Sequence, residues 1–535
     1  MFSIAKDKLL FQGRIDPYSR EHNGGDSHSK YKNAFLSDLE RILFSSSFRR
    51  LQDKAQVYPL ETQDFVRTRL THSLEVSALA SSLGNIIVKR INSMLNDKSI
   101  RHKKLKDDMN EKEWKQKNRE INQMIAQHKN IIQDTSLCLQ CASLLHDIGN
   151  PPFGHFGEDV IKKYFFDIFY THEKKDRDDD KRLTEKQAII FNAIKNNKQM
   201  KNDLVHFDGN AQTIRIVAKL QNSTSKKYGL NLTYGVLGSL FKYPYSSQDA
   251  SFKHEKFGYL YSEEDLIEKL KKLNTPNSWK VYEDKKRNPL SLIMEASDDI
   301  AYTISDFEDA IQKESIKFEN LYYISKNISK YTAGFKQESI DKCEKFIQDI
   351  LEYYESNANE GISEPLRSTI SRMISLEREN LKTSVAKCFI ENYDVIVKGN
   401  FSETLIDKSD YAEFYNFLSK IKKHFVFSQD IIIVAELQGK KIINFLLKEF
   451  IDSVLSKEFS EFIKDRRETK NENHKVLQLI SKNYVEVYKK VIKDQKIESS
   501  SADDIYFRIR MVIDHICGMT DSYAKDTYLK LMGTR

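Results

Sequence analysis

"LLHDIGNPPFGHFGE", residues 144–158, ends an apolar helical run on His146-Asp147, breaks it with Gly149 and two prolines, and then supplies His155 and Glu158. The preceding "TSLCLQCAS" (135–143) is largely apolar, so the segment reads as a buried helix with Gly149 as its stop. An imidazole beside a carboxylate at the end of such a helix offers two metal ligands, and His155 with Glu158 offers two proton carriers a short loop away. Whether this run is an active site depends on finding further ligands elsewhere in the chain.

Two residues answer that need. In "RTRLTHSLEVSALASSLGNIIVKRI" (67–91), Val76, Leu79 and Leu83 follow His72 at i+4, i+7 and i+11, which turns His72 to the buried side of its helix. A lone inward histidine is more often a hydrogen-bonded core residue than a ligand. In "NPLSLIMEASDDIAYTISDFEDAIQ" (288–312), Asp298 shares a face with Tyr302 and Asp306 among apolar neighbours. A buried row of two carboxylates needs a cation or a polar ligand to be tolerated. His72, His146, Asp147 and Asp298 together supply two imidazoles and two carboxylates from three helices. That set suits a divalent ion, Mn²⁺ or Mg²⁺ first and Fe²⁺, Co²⁺ or Ni²⁺ as well, with positions left open for water and a substrate oxygen.

The rest of the chain bounds the setting. Only 18 Gly and 8 Pro in 535 residues argue for an all-α protein. No segment has the apolar core of a signal peptide or a bilayer span, so no membrane partner is expected. Five scattered cysteines fit reduced thiols in a cytoplasmic location, and Cys138-x-x-Cys141 reads as core packing within its apolar helix. Lys plus Arg is 85 and Asp plus Glu is 78, so the formal charge is 85 − 78 = +7. That mild excess is compatible with a polyanionic ligand such as a nucleotide without identifying one. Gly-rich phosphate loops are absent, and Arg49-Arg50 reads as a solvated helix end.

The chain divides into an N-terminal loop segment (1–34), a helical catalytic domain (35–325) and a C-terminal helical lobe packed on the core (326–535). Residues 97–130 read as a charged insertion and 172–187 as an exposed loop. Residues 57–59 read as extended, and 229–243 as a helix ending before Pro244.

"THS" at 71–73, "HD" at 146–147 and the later Asp298 resemble the HD-domain phosphohydrolase superfamily. "FRRLQDKAQVYPLE" (48–61), "LLHDIGNPPFGHFGE", "FDGNAQTIRI" (207–216), "KYP" (242–244) and "EASDDIAYTISDFEDA" (295–310) are similar, in order, to the bacterial deoxyguanosine triphosphate triphosphohydrolases. The resemblance runs from about 35 to 310 and thins over 330–535. It implies an HD-type helical core and a metal-dependent attack of water on the α-phosphate of dGTP, releasing deoxyguanosine and inorganic tripolyphosphate. His155 and Glu158 match the family's catalytic pair. Gln56 and Val57 match contacts to the deoxyribose, Asp306 the residue that binds its 3′ hydroxyl, and Tyr302 the ring that leaves no room for a 2′ hydroxyl. Lys242, Tyr243 and Lys256 match contacts to the triphosphate, while Arg466 and Lys475 match basic residues at a nucleotide pocket. The family further implies a homo-oligomer, often a hexamer, and a single-stranded DNA effector. Two other readings compete: an HD phosphohydrolase of broader dNTP or other nucleotide specificity, and a single-stranded-DNA-binding protein whose HD site is secondary. In the second, Phe44, Tyr31 and Tyr58 would stack on bases, although each reads more simply as core.

Overall fold

The computed structural model describes residues 13–14, 33–60, 66–96, 129–170, 183–221, 228–250, 256–272, 285–360, 365–426, 430–466 and 471–534. Among these the fold is all-α, and β-pairing is confined to three isolated bridges such as Ala55 with Thr68. Helix α1 (Ala34–Leu43) starts where the Asn33 side chain accepts from the amides of Phe35 and Leu36, satisfying two donors of its first turn. It is followed by α2 (Arg69–Asn96), α3 (Lys129–Leu145) and α4 (Gly154–Tyr170). The short α5 (Gly209–Arg215) and α6 (Tyr234–Leu240) precede the long α7 (Pro289–Gln312). Asn288 caps α7 on the Leu290 amide, and Pro289 takes its first position, where a missing N–H costs nothing. The later helices that bear on the site are α8 (Pro365–Glu391), α9 (Ala412–Phe425), α10 (Asp430–Val454), α11 (Ala502–Cys517) and α12 (Asp521–Leu531).

The centre is the pairing of α2 with α3, crossed by α7. Val76, Ala80, Leu83 and Ile87 on α2, Cys138, Leu139, Ala142 and Leu145 on α3, and Ile300, Ile304 and Phe307 on α7 are all buried. Each larger side chain among them contributes roughly 1.5–3 kcal/mol relative to exposure. α8 packs on α7 and α2, α9 packs on α7, and α10 packs on α4, α11 and α12. One apolar cluster runs through all of these elements. Within it α11 is buried along nearly its whole length and carries Asp514, which pairs with Arg215 of α5 at 2.6 Å; Arg215 also reaches Glu263 at 2.9 Å. Removing one partner of so buried a pair costs about 3–5 kcal/mol.

The structure differs from the sequence reading at several boundaries. Helix α1 begins at Ala34, the last residue of the expected N-terminal loop segment. Most of 1–34 lies outside the described residues, but Arg14 is buried and pairs with Asp38 at 2.5 Å. The 97–130 insertion likewise lies outside them, except that Lys129 opens α3. Of 172–187, the last residues are helical: Thr184 and Gln187 form a capping box that starts Glu185–Ile194. Residues 57–58 bend and 59–60 turn rather than run extended, and the 229–243 helix is confined to α6, with Gly229 and Asn231 before it at positive φ. No helix among the described residues is long and apolar enough to cross a membrane. All five cysteines are free and buried, and burial pushes the Cys138 thiol up to about 12.

Candidate active site

The end of α3 supplies the first ligands. The Nδ1–H of His146 donates to the Ser143 carbonyl (2.6 Å), which fixes the ring and leaves Nε2 carrying the lone pair in the neutral form. That Nε2 is buried without a hydrogen-bond partner and faces Asp298 Oδ1 at 3.4 Å and Asp147 Oδ1 at 3.6 Å. His72 comes from the inward face of α2, and its Nε2 lies 3.0 Å from the same Asp298 oxygen. His72, His146 and Asp298 each offer a ligand atom within 4.8 Å of one another. Asp147 stands at the edge of this group; its oxygens accept from Arg69 and, at 2.7 Å, from Asn150 Nδ2.

The charges show what the cradle suits. Burial opposes charging His146, yet Asp147 and Asp298 push its pKa up to about 9. Burial should raise the Asp298 carboxyl, but the charge and hydrogen bonds of the two imidazoles hold it well below the usual carboxylate range. An imidazole lone pair aimed at two carboxylates is repulsive unless a cation, a proton or a metal ion, sits between them. The orphaned His146 Nε2 and the nitrogen/oxygen donor set therefore fit a divalent metal ion, held by His72, His146 and Asp298 with Asp147 alongside.

Around this corner opens a cavity of about 520 Å³. Gln56, Val57, His146, Asp147, His155, Lys242, Tyr243, Lys256, Asp298 and Tyr302 all line it, so ten of the candidate residues share one space. Lys242 is held by Glu295 at 3.2 Å, and Glu295 is shared with Arg287 at 2.6 Å. Burial opposes the Lys242 charge, but Glu295 keeps it firmly protonated. Lys256 is only part-covered, with Nζ 3.9 Å from both Glu158 and Asp208.

His155 opens α4 and is the exposed member of its pair, its side chain 74 % accessible against 3 % for Glu158. Its Nδ1 lies 3.4 Å from Glu158 Oε2, and Glu158 Oε1 accepts from the Gly209 amide at 3.0 Å. Burial would raise the Glu158 carboxyl, yet His155 and Lys256 lower it on balance. A carboxylate charged in a buried site thus orients an imidazole that faces the open cavity, an arrangement able to move a proton there. Gly154, at φ +60°, makes the turn before it, and a Cβ there would collide with the Arg69 guanidinium.

Four sequence candidates do not line the cavity, besides His72 behind the cradle. Glu158 lies beneath His155. Asp306 is buried behind Tyr302, with its carboxylate 3.2 Å from Lys422 Nζ. Arg466 hydrogen-bonds the carbonyls of Gln478 and Ile480, and Lys475 is exposed outside the cavity lining. Other residues enter that the sequence reading did not single out. Arg69, Asn150, Asn210, Tyr415, Ile432 and Glu436 line the cavity, and Lys422 rests 3.8 Å from the centroid of the Tyr302 ring. Arg69 had a signal, since it lies three residues before His72 on the same helix face. Lys422 and Glu436 had none, being ordinary charges on long amphipathic helices.

The HD domain family model matches residues 69–220, the stretch from α2 through α5. A deoxyguanosinetriphosphate triphosphohydrolase-like protein of Listeria innocua is 35 % identical, covering 98 % of this chain and 99 % of its own. Proteins named deoxyguanosinetriphosphate triphosphohydrolase from an Enterobacter strain and from Salmonella arizonae are 31 % and 30 % identical, covering 96 % and 98 % of both chains respectively.

Proposed function

The chain belongs to the deoxyguanosinetriphosphate triphosphohydrolase family of HD-domain proteins, and from that premise we propose that it hydrolyses dGTP to deoxyguanosine and inorganic tripolyphosphate. The observation that carries the reading is the meeting of His72, His146 and Asp298 at one corner of a cavity whose walls also carry Lys242, Lys256 and His155. A divalent ion at that corner, Mn²⁺ or Mg²⁺ in this reading, would supply positive charge against a phosphate oxygen and acidify water. The chain's residues do the rest. Lys242, Tyr243 and Lys256 donate to the triphosphate and spread its charge. Arg69 holds the Asp147 carboxylate in place. His155, oriented by Glu158, gives a proton to the departing 5′ oxygen of the sugar or takes one from the attacking water. Gln56, Val57 and Tyr302 enclose the deoxyribose, and Asp306, turned to Lys422, braces that wall from behind Tyr302.

The same reading extends to assembly. Ile433, Val434 and Leu437 are exposed on α10, whose Ile432 and Glu436 line the cavity. An apolar strip at the mouth of a site is covered in a homo-oligomer, a hexamer by resemblance, with Arg466 and Lys475 bordering the nucleotide across the subunit contact. Single-stranded DNA would act as an effector at such a basic seam, and the enzyme would work in the cytoplasm.

The test is direct. Incubate the purified protein with each dNTP and NTP in Mn²⁺ or Mg²⁺, and separate the phosphate products. dGTP should be consumed fastest and yield tripolyphosphate with deoxyguanosine. Release of pyrophosphate or orthophosphate, or equal rates on dGTP and GTP, would overturn the reaction or the sugar assignment.

A further inference from the structure

The start of α12 reaches two loops of the cavity at once. Asp521 is 2 % exposed; its Oδ1 accepts from the Phe153 amide and its Oδ2 from the Ala55 amide, each at 2.9 Å. Beside it, the buried Lys54 donates to the carbonyls of Asn150 (2.6 Å) and Cys517 (2.7 Å). Three hydrogen bonds thus join the 54–57 loop, which presents Gln56 and Val57, and the 150–154 loop, which presents His155, to the junction between α11 and α12, and a fourth joins the two loops to each other.

The 150–154 loop needs such a hold. Phe153 sits at φ +64°, directly before Gly154 at +60°. A bulky L-residue persists in the left-handed region only where its surroundings over-determine it. Its amide is held by Asp521, and its ring lies against Gly439 of α10, where an added Cβ would come within 2.9 Å of the ring. Neither Asp521 nor Lys54 lines the cavity.

We propose that Asp521 is a positioning residue for the reaction: by holding the Phe153 and Ala55 amides together, it fixes the spacing between His155 and the residues that face the sugar. This role rests on the hydrolytic reading of the site. Two acceptor oxygens are essential to it, because one amide is claimed by each. Lys54 completes the junction from the other side, holding the carbonyl end of the same loop.

Asp521→Asn tests the idea, since the amide keeps the size of the side chain but has one acceptor oxygen. Hydrogen exchange read by mass spectrometry should quicken at least tenfold for amides in 53–57 and 150–156. kcat/KM for dGTP should fall at least tenfold at a temperature well below the melting point, while calorimetry finds Mn²⁺ affinity unchanged. Ala524→Gly is the control: it weakens the same helix at a buried position away from the cavity, and it should lower the melting temperature while leaving exchange in both loops and kcat/KM alone. Parental exchange and kinetics in Asp521→Asn, or an equal loss of activity in Ala524→Gly, would overturn the positioning role. A parent inactive on dGTP would count against the hydrolytic reading alone, because the exchange measurement needs no substrate.

Discussion

The metal corner and the wall that carries Tyr302 share one cavity, yet they are built by different means. The corner draws His72, His146 and Asp298 from α2, α3 and α7, three helices that pack directly on one another. Its supports are local: Ser143 lies three residues before His146, and Asn150 three after Asp147. The Tyr302 wall is propped from far along the chain. Lys422, 120 residues from Tyr302, places its ammonium under the ring and bonds the Tyr302 carbonyl at 3.3 Å and the Asp306 carboxylate at 3.2 Å. The contrast teaches that the ligand chemistry here sits on the helical core, whereas the shape of the substrate space depends on how later helices close over it.

Four substitutions can break or sharpen that contrast. His146→Ala should cost the most, at least roughly a thousandfold in turnover, because the several kcal/mol of charge stabilisation tied to the ion go with it. Calorimetric Mn²⁺ titration should show weakened binding in the same variant. Full turnover after metal removal and restoration would detach the corner from the chemistry.

His155→Ala should keep Mn²⁺ binding and lower kcat by about 10²- to 10⁴-fold, the range for a lost proton carrier. A variant that lost the metal would make His155 part of the corner and erase the division between ligand and proton carrier.

Lys422→Met asks whether the far wall is held as argued. It leaves the Asp306 carboxylate buried without its cation, which should cost about 3–5 kcal/mol in denaturant unfolding near neutral pH. Burial already raises the Asp306 carboxyl above its unfolded value, and Lys422 is the main opposing influence. The folded variant should therefore hold the proton more tightly than the unfolded chain, so its deficit should shrink as the pH falls through the raised folded value and toward the ordinary carboxylate range. A deficit independent of pH would place the cost in packing instead.

Tyr302→Ala should have the smallest effect on turnover but change selectivity, raising the GTP to dGTP ratio of kcat/KM by about tenfold as space opens for a 2′ hydroxyl. An unchanged ratio would remove Tyr302 from the sugar wall.

By itself the sequence determined the helical class, the pairing of His146 with Asp147 and the inward direction of His72 and Asp298. The reason is physical: scarce glycine and proline leave helices intact, and a 3.6-residue period assigns each position to a face, so a polar residue within an apolar stripe is visible as one. The quoted motifs also brought Gln56, Lys242 and Tyr302 to notice, the resemblance added Lys256, and all four line the cavity. Only the tertiary structure decided that the Asp306 carboxylate turns to Lys422, that Arg69 occupies an Asp147 oxygen, and that Asp521 and Lys54 join two loops of the cavity to the α11–α12 junction. These pairings span up to 466 residues and obey no local period. A buried lysine or aspartate at the start or middle of an amphipathic helix looks like any solvated charge until the facing element supplies the carbonyl, amide or carboxylate that makes its burial tolerable.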